Sequence, residues 1–139
     1  MYNFPPDVKA AMEKAVAPLA VYQFLDKRVR TLILSAGFLN MFNLKTHEEG
    51  YYLMDNDMYR DSHPDDIPRI ASEAVRFATG EIPIYKVIYR SRINGEYHII
   101  HAQGEHVIAD NGEQIAYVWY FDEGPYSEVA STTGGIELG

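Results

Sequence analysis

The sequence predicts an α+β domain: one five-stranded antiparallel sheet with a helical layer on one face. Three observations predict it. Two Asn-Gly pairs, Asn94-Gly95 and Asn111-Gly112, separate runs rich in Ile, Val and Tyr: IPIYKVIYRSR, EYHIIHAQGEHVIA and EQIAYVWYFD. Asn-Gly readily adopts the positive φ angles of a two-residue type I′ turn, so these runs read as an antiparallel meander. Just upstream, HPDDIPRIASEAVRFATG has the start, periodicity and stop of one helix. Earlier, LAVYQFL and VRTLILS read as two short strands around the polar turn Asp26-Lys27-Arg28. Two strands with bare edges are unstable alone, so they are expected to join the later three.

The elements follow in order. Val8, Ala11, Met12, Ala15 and Val16 form one stripe across residues 6–17, an amphipathic helix that Pro18 stops. The two strands come next, then AGFLNMFN, long enough for two helical turns. Leu44 to Ser62 has no clean period and reads as short helical turns wrapping a core. Pro64 and Pro68 bracket the start of the longer helix, with Asp66 as N-cap, because Pro68 cannot donate a backbone bond in a helix interior. Ile67, Ile70, Ala71, Ala74, Phe77 and Ala78 repeat at helical spacing, and Gly80 stands where a left-handed cap is expected. The expected divisions are a helical extension over 1–17, a domain over 18–124, and a tail or linker over 125–139.

At 139 residues the chain buries roughly two-thirds of its unfolded surface and needs no staple. It has no cysteine, which removes disulfides, thiolate metal sites, thiol nucleophiles and cysteinyl flavin adducts. The N-terminus lacks the basic segment and apolar core of a signal peptide, and no apolar run approaches the roughly 18 residues that span a membrane. A soluble, cytoplasmic protein is the expectation. A net charge of −8 argues against nucleic acid as partner. The acidic residues between Glu48 and Asp66 read as a solvated face, since they lack an EF-hand register.

His63-Pro64-Asp65-Asp66 ahead of the long helix resembles the "hPdD" approach to the long helix of PAS domains, the sensory modules of bacterial signalling proteins. Tyr89-Arg90-Ser91-Arg92 with Asn94-Gly95 resembles that family's strand-turn pattern, and Asp122 ends the last strand as the family's Asp does. The resemblance covers residues 18 to 123. Its Asp is often followed by Ile-Thr, which couple the sheet to a downstream helix; here Glu123-Gly124 follow. The resemblance implies a non-enzymatic sensory domain (a sensory box) with a small cavity under the helices. It also implies an output domain of the histidine kinase or GGDEF-type diguanylate cyclase kind. No kinase, Walker or GGDEF motif occurs in the chain, so it reads as a stand-alone sensor or an excised input domain. Haem-binding members use a histidine on the long helix, where this chain has none, and the photochemical flavin branch needs a cysteine. Haem and covalent flavin are therefore not expected; flavin held without a covalent bond stays open.

Phe42, Met54, Met58, Ile70, Ala74, Phe77, Tyr89, Ile99, His101 and Trp119 are the candidate lining of a ligand pocket, since Met and aromatic side chains suit a modest apolar cavity. No metal site is expected. His98 and His101 point to opposite faces of one strand, and His106 lies about 26 Å beyond His98. Asp65 and Asp66 read as capping acids rather than an acid–base pair. Eleven tyrosines fit either a pocket with hydroxyl handles or an aromatic core with hydroxyls at its rim. On the last strand Tyr117, Trp119 and Phe121 share one face, but Val118 and Tyr120 are apolar too, so the inward parity is open. Either way an apolar outer face results, expected to be covered by the N-terminal helix or by a second subunit in a homodimer. The competing reading is a small ketosteroid-isomerase-like α+β enzyme with an acid–base site of Asp, His and Tyr. There several helices precede a long curved sheet, whereas here two strands precede the helices.

Overall fold

The computed structural model describes residues 1–127; the expected tail beyond them lies outside the described residues. The order is α1 (Pro6–Glu13), β1 (Leu19–Leu25), β2 (Arg28–Leu34), α2 (Ala36–Met41), α3 (His47–Asp57), α4 (Ile67–Ala78), β3 (Ile84–Ile93), β4 (Glu96–Ile108) and β5 (Gln114–Pro125). Every strand pair is antiparallel, in the spatial order β2-β1-β5-β4-β3. The opening pair thus joins the closing three through β1 and β5, and two strands do precede α2 to α4. No helix among the described residues is long and apolar enough to cross a membrane.

Turn chemistry fixes the register. Asn94 and Gly95 take φ of 51° and 83°, closing a two-residue hairpin in which Ile93 faces Glu96. Asp26 and Lys27 do the same without a glycine, at 52° and 62°. Asn111-Gly112 departs from expectation. Only Gly112 has positive φ, at 88°, and its N–H donates to the Ala109 carbonyl at 2.9 Å. This is a longer loop in which the Asn111 side chain accepts from the Glu113 N–H at 3.0 Å, an Asx turn in place of the two-residue form.

Both sheet edges are closed by the helical layer. On β2, the Thr31 N–H donates to Asp55 and the Leu34 N–H to the Tyr51 hydroxyl, at 2.8 and 3.1 Å. On β3, the Arg92 N–H donates to the Asp61 carbonyl at 2.7 Å and the Arg90 N–H to the Asp66 carboxylate at 2.8 Å. Free edge groups would otherwise recruit another strand.

The sheet is apolar on both faces. Under the helices Ala20, Leu34, Val87, Ile100 and Val118 meet Phe38 and Ile70. On the other face Leu19, Val21, Ile33 and Ile115 are covered by Tyr2, Phe4 and Met12. Complete burial of Val21 or Ile33 contributes about 1.5–3 kcal/mol each.

Three expectations about the helices need correction. The first ends at Glu13, leaving Val16 88% exposed; of its predicted stripe Met12 packs on the outer face. The helix stops because the chain must turn into β1 over Gly37, where an added Cβ would sit 2.6 Å from the Val16 carbonyl carbon. Residues 47–57 form one regular helix instead of scattered turns. The Thr46 hydroxyl caps it by accepting from the Glu49 N–H at 3.0 Å, and Gly50 lets it lie against Leu34 and Leu39. Asp66 stands at the N-cap position of α4 without a side-chain capping bond, because its carboxylate is taken by Arg90. Gly80, at φ of 82°, ends α4 as expected.

Candidate functional site

Alternation along each strand sends every second side chain under the helices. Between those side chains and α2 to α4 lies a cavity of about 160 Å³. Its roof includes Phe42 after α2, Met54 of α3 and Met58 just after it. Ile70, Ala74 and Phe77 of α4 complete the roof, and Tyr89 of β3 lies on the floor. These are seven of the ten predicted lining residues.

The other three do not reach it. Ile99, His101 and Trp119 belong to the outward parity of β4 and β5. Ile100, Ala102, Val118 and Tyr120 take the inward positions. The cause is local: Ile99-Ile100 and Val118-Trp119-Tyr120-Phe121 are apolar on both parities, so the pattern carries no directional signal. Ile99 is nonetheless fully buried on the outer face, where its cross-strand partner is Arg90. His101 lies 3.9 Å from the Glu123 carboxylate, while Trp119 and Phe121 are 41% and 52% exposed.

The feature that most marks the cavity is a set of tyrosines, of which the predicted lining held only Tyr89. Tyr22, Tyr59, Tyr85 and Tyr120 join Tyr89 around it, five phenols from three strands and the turn after α3. The Tyr22 and Tyr120 hydroxyls are hydrogen-bonded at 2.8 Å. Phe38 and Phe42 pack edge-on to the Tyr120 ring at 5.1 and 5.7 Å and hold it in place. Burial pushes all five phenols above their ordinary value of 10.0, and for Tyr85, Tyr89 and Tyr120 neighbouring phenols push the same way. All five are therefore neutral O–H groups at physiological pH. The shared parity of Tyr85 and Tyr89 was the available signal; Tyr59 had none, lying in a stretch without period.

At one end the His106 ring stacks on Phe77 with centroids 4.0 Å apart, and its Nε2 lies 2.9 Å from the Phe77 carbonyl. A carbonyl only accepts, so Nε2 carries the proton. Asp61 is the sole carboxylate in the lining, and Arg60 holds it at 2.8 Å.

A flavin nucleotide does not fit this site. Sites for drug-sized molecules run to roughly 300–1,000 Å³, and neither lysine nor arginine lines the cavity to meet a phosphate. Among the described residues no three His, Asp or Glu side chains are grouped to hold a metal ion.

At the far end of β5, Asp122 pairs with His98 at 2.9 Å and accepts from the Gly124 N–H at 2.8 Å. The register of β4 with β5 shifts here, and Gly124 has φ of 103°. Glu123-Gly124 therefore make a bulge that carries β5 on to Pro125.

No family profile and no curated protein matches the sequence. Solved structures do match in shape. The Rhodobacter sphaeroides LOV protein superposes with a TM-score of 0.63 at 14% identity, over 91% of this chain and 70% of that one. The PAS domain of a Colwellia psychrerythraea protein gives 0.60 at 12% identity, over 85% and 95%. A sensory box histidine kinase/response regulator from Burkholderia thailandensis gives 0.51 at 20% identity, over 86% and 85%. With a five-stranded antiparallel sheet in the order β2-β1-β5-β4-β3 and its helical layer over one face, this chain has the PAS fold.

Proposed function

We propose that this chain is the sensory domain of a signalling protein, non-enzymatic, that binds a small molecule between sheet and helices and relays the change to an output domain. The observation that carries the reading is the cavity itself: a space no protein group fills, with mostly apolar walls and five tyrosines in its lining. Binding there would favour one seating of α4 on the sheet over another, a population shift rather than a reaction. A histidine kinase or diguanylate cyclase is the proposed output. Two structural neighbours, a sensory box histidine kinase/response regulator and a PAS domain from a two-component sensor histidine kinase, support the kinase form. The outer face around Trp119 and Phe121, which the N-terminal segment leaves exposed, is the proposed seat of a second copy.

An isomerase-like site finds no support in the titrating groups. Such chemistry needs a carboxylic acid or base pushed toward neutrality in the cleft. The two acids held away from their ordinary values, Asp66 at the β3 edge and Glu113 just before β5, are both pushed downward by their hydrogen-bond partners, and neither lines the cavity.

A thermal-shift screen with small metabolites, haem and flavin tests the proposal. The expected result is a rise in melting temperature with a subset of small, mostly apolar compounds, abolished by filling the cavity with Ala74→Phe. If no compound stabilises the domain, the cavity is a packing defect and the fold serves protein contacts alone.

A further inference from the structure

The hydrogen-bonding capacity around the cavity is unbalanced, and the imbalance describes what would complete it. The Tyr59, Tyr85 and Tyr89 hydroxyls make no hydrogen bond among the described residues. In the Tyr22–Tyr120 pair one O–H is used and the other is left to donate elsewhere. The His106 Nε2–H is already committed to Phe77. Four O–H donors thus border one space whose lining sets against them one buried acceptor without a partner, His106 Nδ1, and the Arg60-held Asp61 carboxylate, so donors remain in surplus.

From this we infer that the cavity takes a small, uncharged, largely apolar molecule bearing a carbonyl acceptor, such as an aromatic or branched ketone. The inference rests on the proposed role of the cavity as a ligand site. Size sets the first limit: 160 Å³ is close to the roughly 150 Å³ of an apolar cavity that admits benzene, so one ring with a short substituent is the scale. The walls set the second. Phe42, Met54, Met58 and Phe77 offer soft, apolar contact to a ring.

Donor surplus sets the third limit. A phenol can accept as well as donate, but its hydrogen still needs an acceptor once water is displaced. Leaving a desolvated donor unmet costs about 1–3 kcal/mol, so a ligand without an acceptor would carry that penalty more than once. Charge sets the fourth. A carboxylate supplies acceptors, but no lysine or arginine lines the cavity and Asp61 shares its wall. An unpaired ion buried there costs several kcal/mol. A cation finds no open carboxylate, since Asp61 is held by Arg60.

Three probes of nearly equal shape separate these terms: acetophenone, ethylbenzene and benzoate, titrated into the full chain and followed by NMR chemical shifts. With two hydroxyls engaged at about 1 kcal/mol net each, acetophenone is expected to bind at least about tenfold more tightly than ethylbenzene. Benzoate is expected to be weaker than acetophenone. Tyr85→Phe and Tyr89→Phe should each weaken acetophenone about three- to tenfold and leave ethylbenzene within about twofold. Equal affinities for ketone and hydrocarbon, or benzoate binding as tightly as the ketone, would overturn the ligand class while keeping the cavity as a binding site. Saturable binding of none of the three would overturn both. The comparison in the unsubstituted chain stands even if a phenylalanine variant fails to fold.

Discussion

Replacing Asp66 with alanine probes the joint between helical layer and sheet. Its carboxylate accepts from the Arg90 backbone N–H at 2.8 Å, from Nε at 3.0 Å and from Nη2 at 2.7 Å. The two side chains are 7% and 14% exposed, so water can replace little of what is lost. Hydrogen bonds to charged groups are each worth about 1.5–3 kcal/mol, but these three share one carboxylate and do not add. Removing one partner of a buried pair costs about 3–5 kcal/mol, and that is the expected loss. It is a large share of the roughly 5–15 kcal/mol that holds a typical domain folded. Urea unfolding followed by far-ultraviolet circular dichroism measures it. Adding Arg90→Met closes a double-mutant cycle, with an expected coupling of at least about 1.5 kcal/mol. A loss under about 1 kcal/mol with no coupling would refute the reasoning, because the pair would then be no better than a solvated surface contact.

The same residue gives a pH signature. Burial pushes the Asp66 carboxyl up, but the side-chain and backbone hydrogen bonds from Arg90 outweigh it and hold it below its ordinary 3.8. A carboxyl depressed on folding contributes stability that is fully present above its unfolded value and is lost as pH falls through the folded one. The stability gap between the natural chain and Asp66→Asn should therefore be flat from about pH 7 to 5 and shrink below about pH 4. A gap that closed above pH 5 would assign the effect to another group.

Two further outcomes are expected. Ser35→Ala should lose about 2–4 kcal/mol in the same urea assay, because the fully buried hydroxyl accepts from the Leu19 and Phe38 N–H groups at 2.9 and 3.1 Å and donates to the Ala17 carbonyl at 2.7 Å; a loss under about 1 kcal/mol would mean that those groups find other partners. Light scattering should show a dimer that Trp119→Ser with Phe121→Ser converts to a monomer of unchanged melting temperature, and a natural chain already monomeric at high concentration would remove the outer face as a self-association surface.

What could be read in advance follows from where the chain obeys a local rule. Asn94-Gly95, the α4 stripe and Gly80 each encode their conformation within a few residues, and each forms as expected. Helix α3 was equally local, in Thr46-His47-Glu48-Glu49, a capping-box signature whose Thr46 caps the helix while Glu49 accepts from the Lys45 N–H, ahead of a segment whose periodicity is weak. Its apolar positions serve two neighbours at once. Tyr51 reaches β2 and Glu13, while Met54 faces the cavity, so no single stripe appears. Parity on β4 and β5 failed for a different reason. A sheet covered on both faces loses its alternation, and the coverage by Tyr2 and Phe4 is a tertiary fact. Asp66 was placed correctly in sequence and wrongly in role: position predicts a cap, but the partner that claims the carboxylate is 24 residues away.

That partner has a second contact. The Arg90 guanidinium lies 5.1 Å over the Tyr126 ring, and the Tyr126 N–H donates to the Tyr97 carbonyl at 2.8 Å, just past the end of β5. One side chain therefore touches both the first turn of the helix that roofs the cavity and the segment that leaves the sheet. Ile70, Ala74 and Phe77 belong to that same helix, so a ligand of the proposed kind that reseated them would also move Asp66. Magnitudes decide what happens next. A tenfold preference of a ligand for one seating supplies about 1.4 kcal/mol, less than the roughly 3–5 kcal/mol needed to open a buried pair. Under the proposed function the Asp66–Arg90 clamp would travel with the helix instead of breaking, and the displacement would be carried to Tyr126, just past the end of β5.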